Sequence, residues 1–126
     1  MEARLFNKQK DIAMIKEWYL DRGYILDKTS RIPELGVIVD EIAVCFIYHD
    51  KTSSIGFIHG LISNPRQSKK KVYQAISKML DLGKIETKKR GMEIVLLFTH
   101  YRSLMRLASR KKFIATTNLV EMLGEL

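Results

Sequence analysis

The stretch Ser54 to Leu82, SIGFIHGLISNPRQSKKKVYQAISKMLDL, changes from a strand pattern to a helix pattern within a few residues. Its first part is rich in β-branched and aromatic residues and ends at Asn64-Pro65, a dipeptide typical of turns. Ser68 then offers an N-cap side chain, and apolar residues recur at helical spacing after it. The stretch therefore predicts a strand, a turn and an amphipathic helix.

A cluster of cations marks the start of this predicted helix: Arg66, Lys69, Lys70 and Lys71. The first backbone N–H groups of a helix have no partner within it and carry partial positive charge. Full side-chain charges beside these N–H groups favour an anion. The corner therefore predicts a binding site for a phosphate or pyrophosphate group.

Two glycines, Gly56 and Gly60, interrupt the otherwise regular strand pattern. Glycine inside a strand usually marks a β-bulge or the close approach of another backbone or a ligand. We therefore expect either a simple kink or a ligand lying along the strand edge near Leu61.

The length and charge of the chain limit its class. With 126 residues and 46% hydrophobic content, one domain over residues 1–126 is expected. The formal charge of +8 favours anionic partners such as nucleic acid or a phosphorylated cofactor, although solubility alone would also explain it. No signal-like or membrane-spanning apolar run is found in the sequence, so we expect a cytoplasmic protein that does not bind membranes.

The single cysteine and the three histidines exclude several kinds of site. Cys45 alone cannot form an internal disulfide or a cysteine-based metal cluster, and its apolar neighbours predict a buried, unreactive thiol. The histidines are too far apart in the sequence to suggest a metal site.

The segments before this stretch predict a strand, a helix and a sheet. A short strand is expected at Arg4-Leu5-Phe6, followed by a helix from Asp11 to Arg22 with Asp11 as its N-cap and Gly23 as its C-terminal stop. Three β-rich runs with short connections then predict an antiparallel meander. These runs are Val37 to Val39, Ile42 to Tyr48 and Ile55 to Ser63.

The segments after it predict a strand-helix-strand unit. Met92 to Phe98, MEIVLLF, contains one charged residue, which favours a central strand covered on both faces and parallel to the strand before the helix. A helix is expected over His100 to Lys112 and a strand over Phe113 to Thr117, whereas Asn118 to Leu126 fits either a short helix or a strand. The predicted fold class is α/β (α+β), with a mixed central sheet and helices on both faces.

This order of elements, together with IPELGVIV, the strand ending in LISNP, the basic corner and Arg90-Gly91, resembles the GNAT (N-acetyltransferase) superfamily. The chain is most similar to small phage-encoded members, and the resemblance covers about Asp11 to Phe113. It implies transfer of an acetyl group from acetyl-CoA, or of another acyl group from its acyl-CoA, to an amine of a small molecule or protein. It also implies the cytoplasm of a host cell, or a virion, as the location.

The resemblance implies two binding segments and two kinds of catalytic group. The backbone of Leu61, Ile62 and Ser63 would hold the pantetheine arm and thioester, and the loop Arg66, Gln67, Ser68, Lys69, Lys70, Lys71 and Val72 would surround the pyrophosphate. His59 is the first candidate for a general base, ahead of Glu41 and His49, because imidazole titrates near neutral pH. Tyr101 or His100 is the candidate general acid.

The chain departs from the family pattern at two places. Ser68 occupies the position of the usual arginine of the pyrophosphate loop, and Lys71 and Tyr73 occupy those of its glycines. The positive charge of the lysines would therefore have to replace the close approach of the loop backbone to the pyrophosphate. Ala108 occupies the position of the usual general-acid tyrosine, which is why Tyr101 or His100 is considered instead.

Two other hypotheses remain open at this stage. Residues 68–98 also fit the recognition helix and wing of a winged-helix DNA-binding domain, with Lys89-Arg90-Gly91 as the hairpin turn. Alternatively, the chain keeps a GNAT-like fold without catalysis and serves as a phage structural or interaction protein. An uncovered C-terminal sheet edge would then pair with a second copy or a protein partner.

Overall fold

The computed structural model describes residues 1–24, 31–99 and 101–115 and contains five strands and three helices in these ranges. In chain order they are β1 (Ala3–Leu5), α1 (Lys8–Asp21), β2 (Gly36–Val39), β3 (Ala43–His49), β4 (Ile55–Ser63), α2 (Lys69–Lys89), β5 (Ile94–Leu97) and α3 (Arg102–Arg110).

The strands form one mixed sheet in the order β1-β2-β3-β4-β5. Neighbouring strands from β1 to β4 pair antiparallel, whereas β4 and β5 pair parallel with Ile55 opposite Ile94 and Ile58 opposite Leu97. The predicted meander and the predicted parallel strand-helix-strand unit are both confirmed. Helix α2 is the crossover that a parallel pair requires.

Helices cover both faces of this sheet, as the sequence predicts. On one face, Trp18 and Ile15 of α1 pack against Ile38, Val44 and Phe46. On the other face, α2 and α3 pack against a second set of strand residues. The main members of this second cluster are Val37, Val39, Cys45, Ile47 and Ile58 from the sheet, with Ala75, Met79, Leu80, Leu107 and Ala108 from the helices.

The start of α1 differs from the prediction that Asp11 caps this helix. Asn7 is the N-cap, and its side chain accepts a hydrogen bond from the backbone N–H of Lys10. Asp11 lies one turn further on, where it accepts two hydrogen bonds from Arg4 and one from the Asn7 N–H. Asp11 is buried, with 4% of its surface exposed. The prediction that it caps the helix is wrong because its side chain binds Arg4 of β1 instead.

The two glycines of β4 have different structural roles. Between Val44 and Phe46 the register of β3 against β4 shifts, so that Gly60 and Leu61 together lie opposite Cys45. Gly60 has a φ of +68°, which a residue with a side chain rarely adopts, so the predicted bulge is confirmed here. Gly56 instead allows close packing, because a Cβ at this position would overlap Met92 Sδ.

Strand β5 is shorter and more exposed than the sequence predicts. We expected Met92 to Phe98 to be a central strand covered on both faces, and the observed cover is incomplete. Among the described strands β5 is at the end of the sheet, Ile94 is 55% exposed and Phe98 is 39% exposed.

The last described segment fits the predictions only in part. Helix α3 spans Arg102–Arg110, within the predicted range. Phe113 to Ala115 form no strand, and residues 116–126 lie outside the described residues together with the rest of the predicted last strand and the ambiguous segment after it.

The winged-helix hypothesis is wrong. Helix α2 continues without interruption through Gly83 to Lys89, so no hairpin forms at Lys89-Arg90-Gly91. The segment before α2 is the nine-residue strand β4, whereas a winged helix requires a helix there.

Candidate functional site

The pairing of the parallel strands β4 and β5 ends at the point where the resemblance places an acyl-CoA. All four residues of β5 pair with β4, and β5 ends at Leu97, opposite Ile58, whereas β4 continues to Ser63. Residues 59–63 therefore pair with β3 on one side only within the described chain. The bulge at Gly60 lies at the start of this unpaired half. An unpaired strand edge leaves backbone N–H and carbonyl groups available to a ligand. We call this edge of residues 59–63, beyond the end of β5, the opening.

The backbone of Ser63 faces this opening. The N–H of Asn64 donates to the carbonyl oxygen of Ile42, which precedes β3. Because backbone groups of successive strand residues point to opposite sides, the N–H and carbonyl of Ser63 point away from β3. Arg22 donates to that carbonyl at 3.0 and 2.9 Å and to the Ser63 hydroxyl at 2.6 Å. The carbonyl is thus occupied, while the N–H faces the opening.

The turn between β4 and α2 positions a helix start beside the opening. The side chain of Asn64 accepts from the Arg66 N–H and donates to the Glu41 carbonyl, which fixes the turn. Ser68 caps α2 through its hydroxyl, as predicted, by accepting from the Lys71 N–H. Among the described residues, the backbone N–H groups of Ser68 and Lys69 have no partner.

The cations of this corner differ in their surroundings. Arg66 forms an ion pair with Asp21 of α1 at 3.0 Å, so part of its charge is neutralised. Lys69, Lys70 and Lys71 are exposed and have no ion-pair partner within the described ranges. The three lysines, with the partial positive charge of the helix start, form the main anion-attracting group of the corner.

The remaining residues of the two binding segments lie in the same connection. Leu61 packs on the core under α2, whereas Ile62 is 6% exposed, packs on the core under α1 and lies opposite Val44 of β3. Gln67 is half-buried and its N–H donates to the Asn64 carbonyl, and Val72 packs on the core under α2. The side chains of Leu61, Ile62 and Val72 therefore hold the segment in place, and a ligand would meet its backbone.

His59 lies on β4 immediately after the last residue paired with β5. Its half-buried ring meets the rings of Tyr48 and Phe98 edge to face, with centroid distances of 6.1 and 6.4 Å. The imidazole thus lies where the pairing of β4 with β5 ends.

The other candidate catalytic residues are more scattered. Tyr101 is 63% exposed and is the N-cap residue of α3, just after β5 ends. His100 lies outside the described residues. Glu41, in the turn before β3, and His49, at the end of β3, are both exposed.

Cys45 is buried and unreactive, as its sequence context predicts. It is 1% exposed, and burial raises the pKa of its thiol to about 12. Because the thiolate is the nucleophilic form, Cys45 is excluded as a nucleophile at neutral pH. Among the residues with a described position, no group of three or more His, Cys, Asp or Glu side chains could hold a metal ion.

Sequence reasoning did not identify Arg22 or the aromatic neighbours of His59. Arg22 follows α1 and reaches Ser63, 41 residues further along the chain, so no local pattern connects the two. Tyr48, Phe57 and Phe98 come from three neighbouring strand segments and meet only through the sheet register. The one available signal was the period of two along β4, which puts Phe57 and His59 on the same face.

Comparison with known proteins identifies the fold. No family model matches the chain, and no curated protein matches it. Solved structures do match: glucosamine-6-phosphate N-acetyltransferase from Arabidopsis thaliana has a TM-score of 0.69 at 11% identity, with 98% of each chain covered. An aminoglycoside acetyltransferase from an uncultured soil metagenomic sample has a TM-score of 0.66 at 9% identity, covering 99% of this chain and 95% of the other.

A third match, ribosomal-protein-alanine N-acetyltransferase from Brucella melitensis, has a TM-score of 0.60 at 10% identity, covering 99% of this chain and 98% of the other. At such low identity these similarities show the fold alone, and it is the fold of GNAT acetyltransferases, as the sequence predicts. Within the described ranges, no helix combines the length and apolar character needed to cross a membrane.

Proposed function

We propose that this chain, which has the fold of the GNAT acetyltransferases, is a single-domain enzyme that transfers an acyl group from acetyl-CoA or another acyl-CoA to an amine. The observation that carries the proposal is the unpaired edge of β4 beyond the end of β5, which lies beside the cationic start of α2. The names of the similar solved structures support an amine acceptor, because they specify an aminoglycoside, glucosamine-6-phosphate and a ribosomal-protein alanine.

The residues at this corner fit an acyl-CoA. Its diphosphate would lie at the unpartnered N–H groups of Ser68 and Lys69, with Lys69, Lys70 and Lys71 supplying charge in place of the close backbone approach that loop glycines would allow. The open side of residues 61–63 would hold the pantetheine arm. The Ser63 N–H is the donor best placed for the acyl carbonyl, because Arg22 fixes this part of β4 through the Ser63 carbonyl.

The chemistry requires few protein groups once the reactants are aligned. The bound thioester supplies an acyl carbon that is open to attack by an amine; a C–N bond forms and the C–S bond breaks. His59 accepts the proton that the amine loses, and Tyr101 donates a proton to the departing sulfur. The place of His59 at the end of the β4–β5 pairing supports its role, and the place of Tyr101 just after β5 supports the other.

Thermal stability in the presence of acetyl-CoA tests the proposal. A ligand at 100 times its Kd stabilises the native state by about 2.7 kcal/mol. For a chain of this size that corresponds to a rise in Tm of roughly 10 °C. A rise with acetyl-CoA, together with thiol release in the presence of amines, is the expected result.

Two variants with equal charge change localise the cofactor site. Replacing Lys69, Lys70 and Lys71 by Gln should weaken acetyl-CoA binding at least tenfold, since several phosphate contacts are lost, each worth about 1.5 kcal/mol or more. The control replaces the exposed residues Lys10, Lys16 and Lys51 by Gln, which removes the same charge elsewhere. Equal losses in both variants, or no Tm shift at all, would reject the proposed site.

Two results would support the alternative that the fold has lost its chemistry. In that case acetyl-CoA would still raise the Tm, but no thiol would be released with a panel of amines and basic peptides. Replacing His59 by Gln would then leave all measurements unchanged, whereas an active enzyme should lose much of its rate near neutral pH.

A further inference from the structure

Four rings from three adjacent strand segments form a continuous surface beside the proposed acyl site. Phe57 and Phe98 are stacked, with centroids 5.9 Å apart and planes at 16°. His59 meets Phe98 edge to face, and Tyr48 meets His59 in the same way. We refer to Tyr48, Phe57, His59 and Phe98 as the aromatic surface.

The aromatic surface lies on the face of the sheet that carries α1. Along β4, Phe57 and His59 alternate with Ile58, whose side chain belongs to the core under α2 and α3. Helix α1 covers the part of this face around Phe46 and Ile38. It leaves Tyr48 41% exposed and Phe98 39% exposed within the described structure.

The position of this surface relates it to the site of transfer. His59 is both a member of the surface and the residue at which β4 leaves β5. The Ser63 N–H, which we propose polarises the acyl carbonyl, is further along the same strand. A molecule resting on Phe57 and Phe98 would thus have the strand opening at its edge.

The chemistry of the surface selects among amines. The surface itself consists of four ring side chains, and Asp21 of α1 is paired with Arg66. Tyr19 of α1 is half-buried nearby, and burial, with a smaller effect from Tyr48, raises the pKa of its hydroxyl. The exposed parts of Tyr48 and Phe98 offer ring surface against which an aromatic ring of an acceptor can pack.

We propose that the aromatic surface binds the acceptor and that the acceptor is an amine carried on a planar aromatic ring. This inference rests on the proposed acyl transfer and specifies its substrate class. The ring of the acceptor continues the stack of Phe57 and Phe98, and its amine points toward His59.

Binding of tryptamine to the full chain, measured by ligand-observed NMR in the presence of CoA, tests this inference. Phe98→Leu removes one partner of the stack at a largely exposed position, and it should weaken tryptamine binding about tenfold. Phe57→Leu should have a similar effect. Ile85→Ala, at a 51% exposed position on α2 away from the surface, is the matched control and should leave binding unchanged.

The outcomes separate this inference from the proposed function. If tryptamine binds as predicted but acetyl-CoA does not, the aromatic site stands and the transferase proposal fails. The inference is overturned if spermidine is acetylated while tryptamine neither binds nor reacts. It is also overturned if Phe98→Leu converts a dimer into a monomer without affecting tryptamine, because the surface would then be a contact between two copies.

Discussion

The bulge at Gly60 gives a direct test of how β4 shapes the site. Gly60 has a φ of +68°, and a Cβ there would lie 3.0 Å from Cδ2 of Phe46, whose ring is 1% exposed. A side chain in this backbone conformation costs about 1–2 kcal/mol. Crowding a packed ring adds about 1–2 kcal/mol more. We expect Gly60→Ala to lower the free energy of unfolding by about 2–4 kcal/mol.

Gly91 provides a control that isolates the contact with Phe46. Its φ is +81°, but nothing lies within 4 Å of a Cβ built on it. Gly91→Ala should therefore lower the free energy of unfolding by about 1–2 kcal/mol, which is the cost of the backbone conformation without the cost of crowding a neighbour. Urea unfolding of both variants measures the difference, which should also appear as a gap of several °C in Tm.

The same pair of variants tests the link between the bulge and ligand binding. Gly60 precedes the residues proposed to hold the pantetheine arm, so a strand that relaxes around the added methyl group should move them and reduce the Tm rise caused by acetyl-CoA. Gly91→Ala, in the turn before β5, should leave that rise intact. If both variants unfold with the same free energy, or if Gly60→Ala keeps the full response to acetyl-CoA, the bulge does not shape the site.

Three further predictions follow from contacts in the core and at its edge. Asp11→Asn should lower the free energy of unfolding by about 1–3 kcal/mol at pH 7. The hydrogen bonds from Arg4 lower the pKa of Asp11 in the folded state. The difference in unfolding free energy between the two proteins should therefore shrink as the pH falls below about 4. A difference that does not change with pH would contradict the ion pair of Asp11 with Arg4. Gly56→Ala should lower the urea midpoint, because its Cβ would overlap Met92; an unchanged midpoint would show that Met92 moves freely. Cys45 should react with iodoacetamide at pH 8 only after unfolding, and labelling of the native protein would disprove its burial.

Local signals in the sequence were sufficient for most of the fold. The turn at Asn64-Pro65, the cap at Ser68 and the β-branched and aromatic content of the three β-rich runs are each a property of neighbouring residues, and each prediction is confirmed. The glycines of β4 also predicted a bulge. This prediction was possible because a positive φ is adopted by a single residue, here Gly60, and glycine is the residue type that favours it.

Non-local contacts account for the errors and omissions. Asp11 was assigned as a cap because aspartate favours helix starts, but Arg4 of the adjacent strand binds it instead. The ion pair of Arg66 with Asp21 and the hydrogen bonds of Arg22 to Ser63 join segments that are distant in the chain. The sequence pattern of a single segment does not show such contacts. The charge pairing at the site could therefore be established only from the folded structure.

The exposure of β5 connects its incomplete cover with the proposed acceptor. An apolar run such as MEIVLLF is normally explained by burial on both faces, and burial would leave no room for a second substrate on that side. Within the described chain, Ile94 and Phe98 are exposed and Phe98 stacks on Phe57. Contiguous exposed apolar surface is typical of sites that bind another molecule. Because the aromatic part of this surface adjoins His59 and the unpaired edge of β4, the proposed aromatic acceptor would cover it.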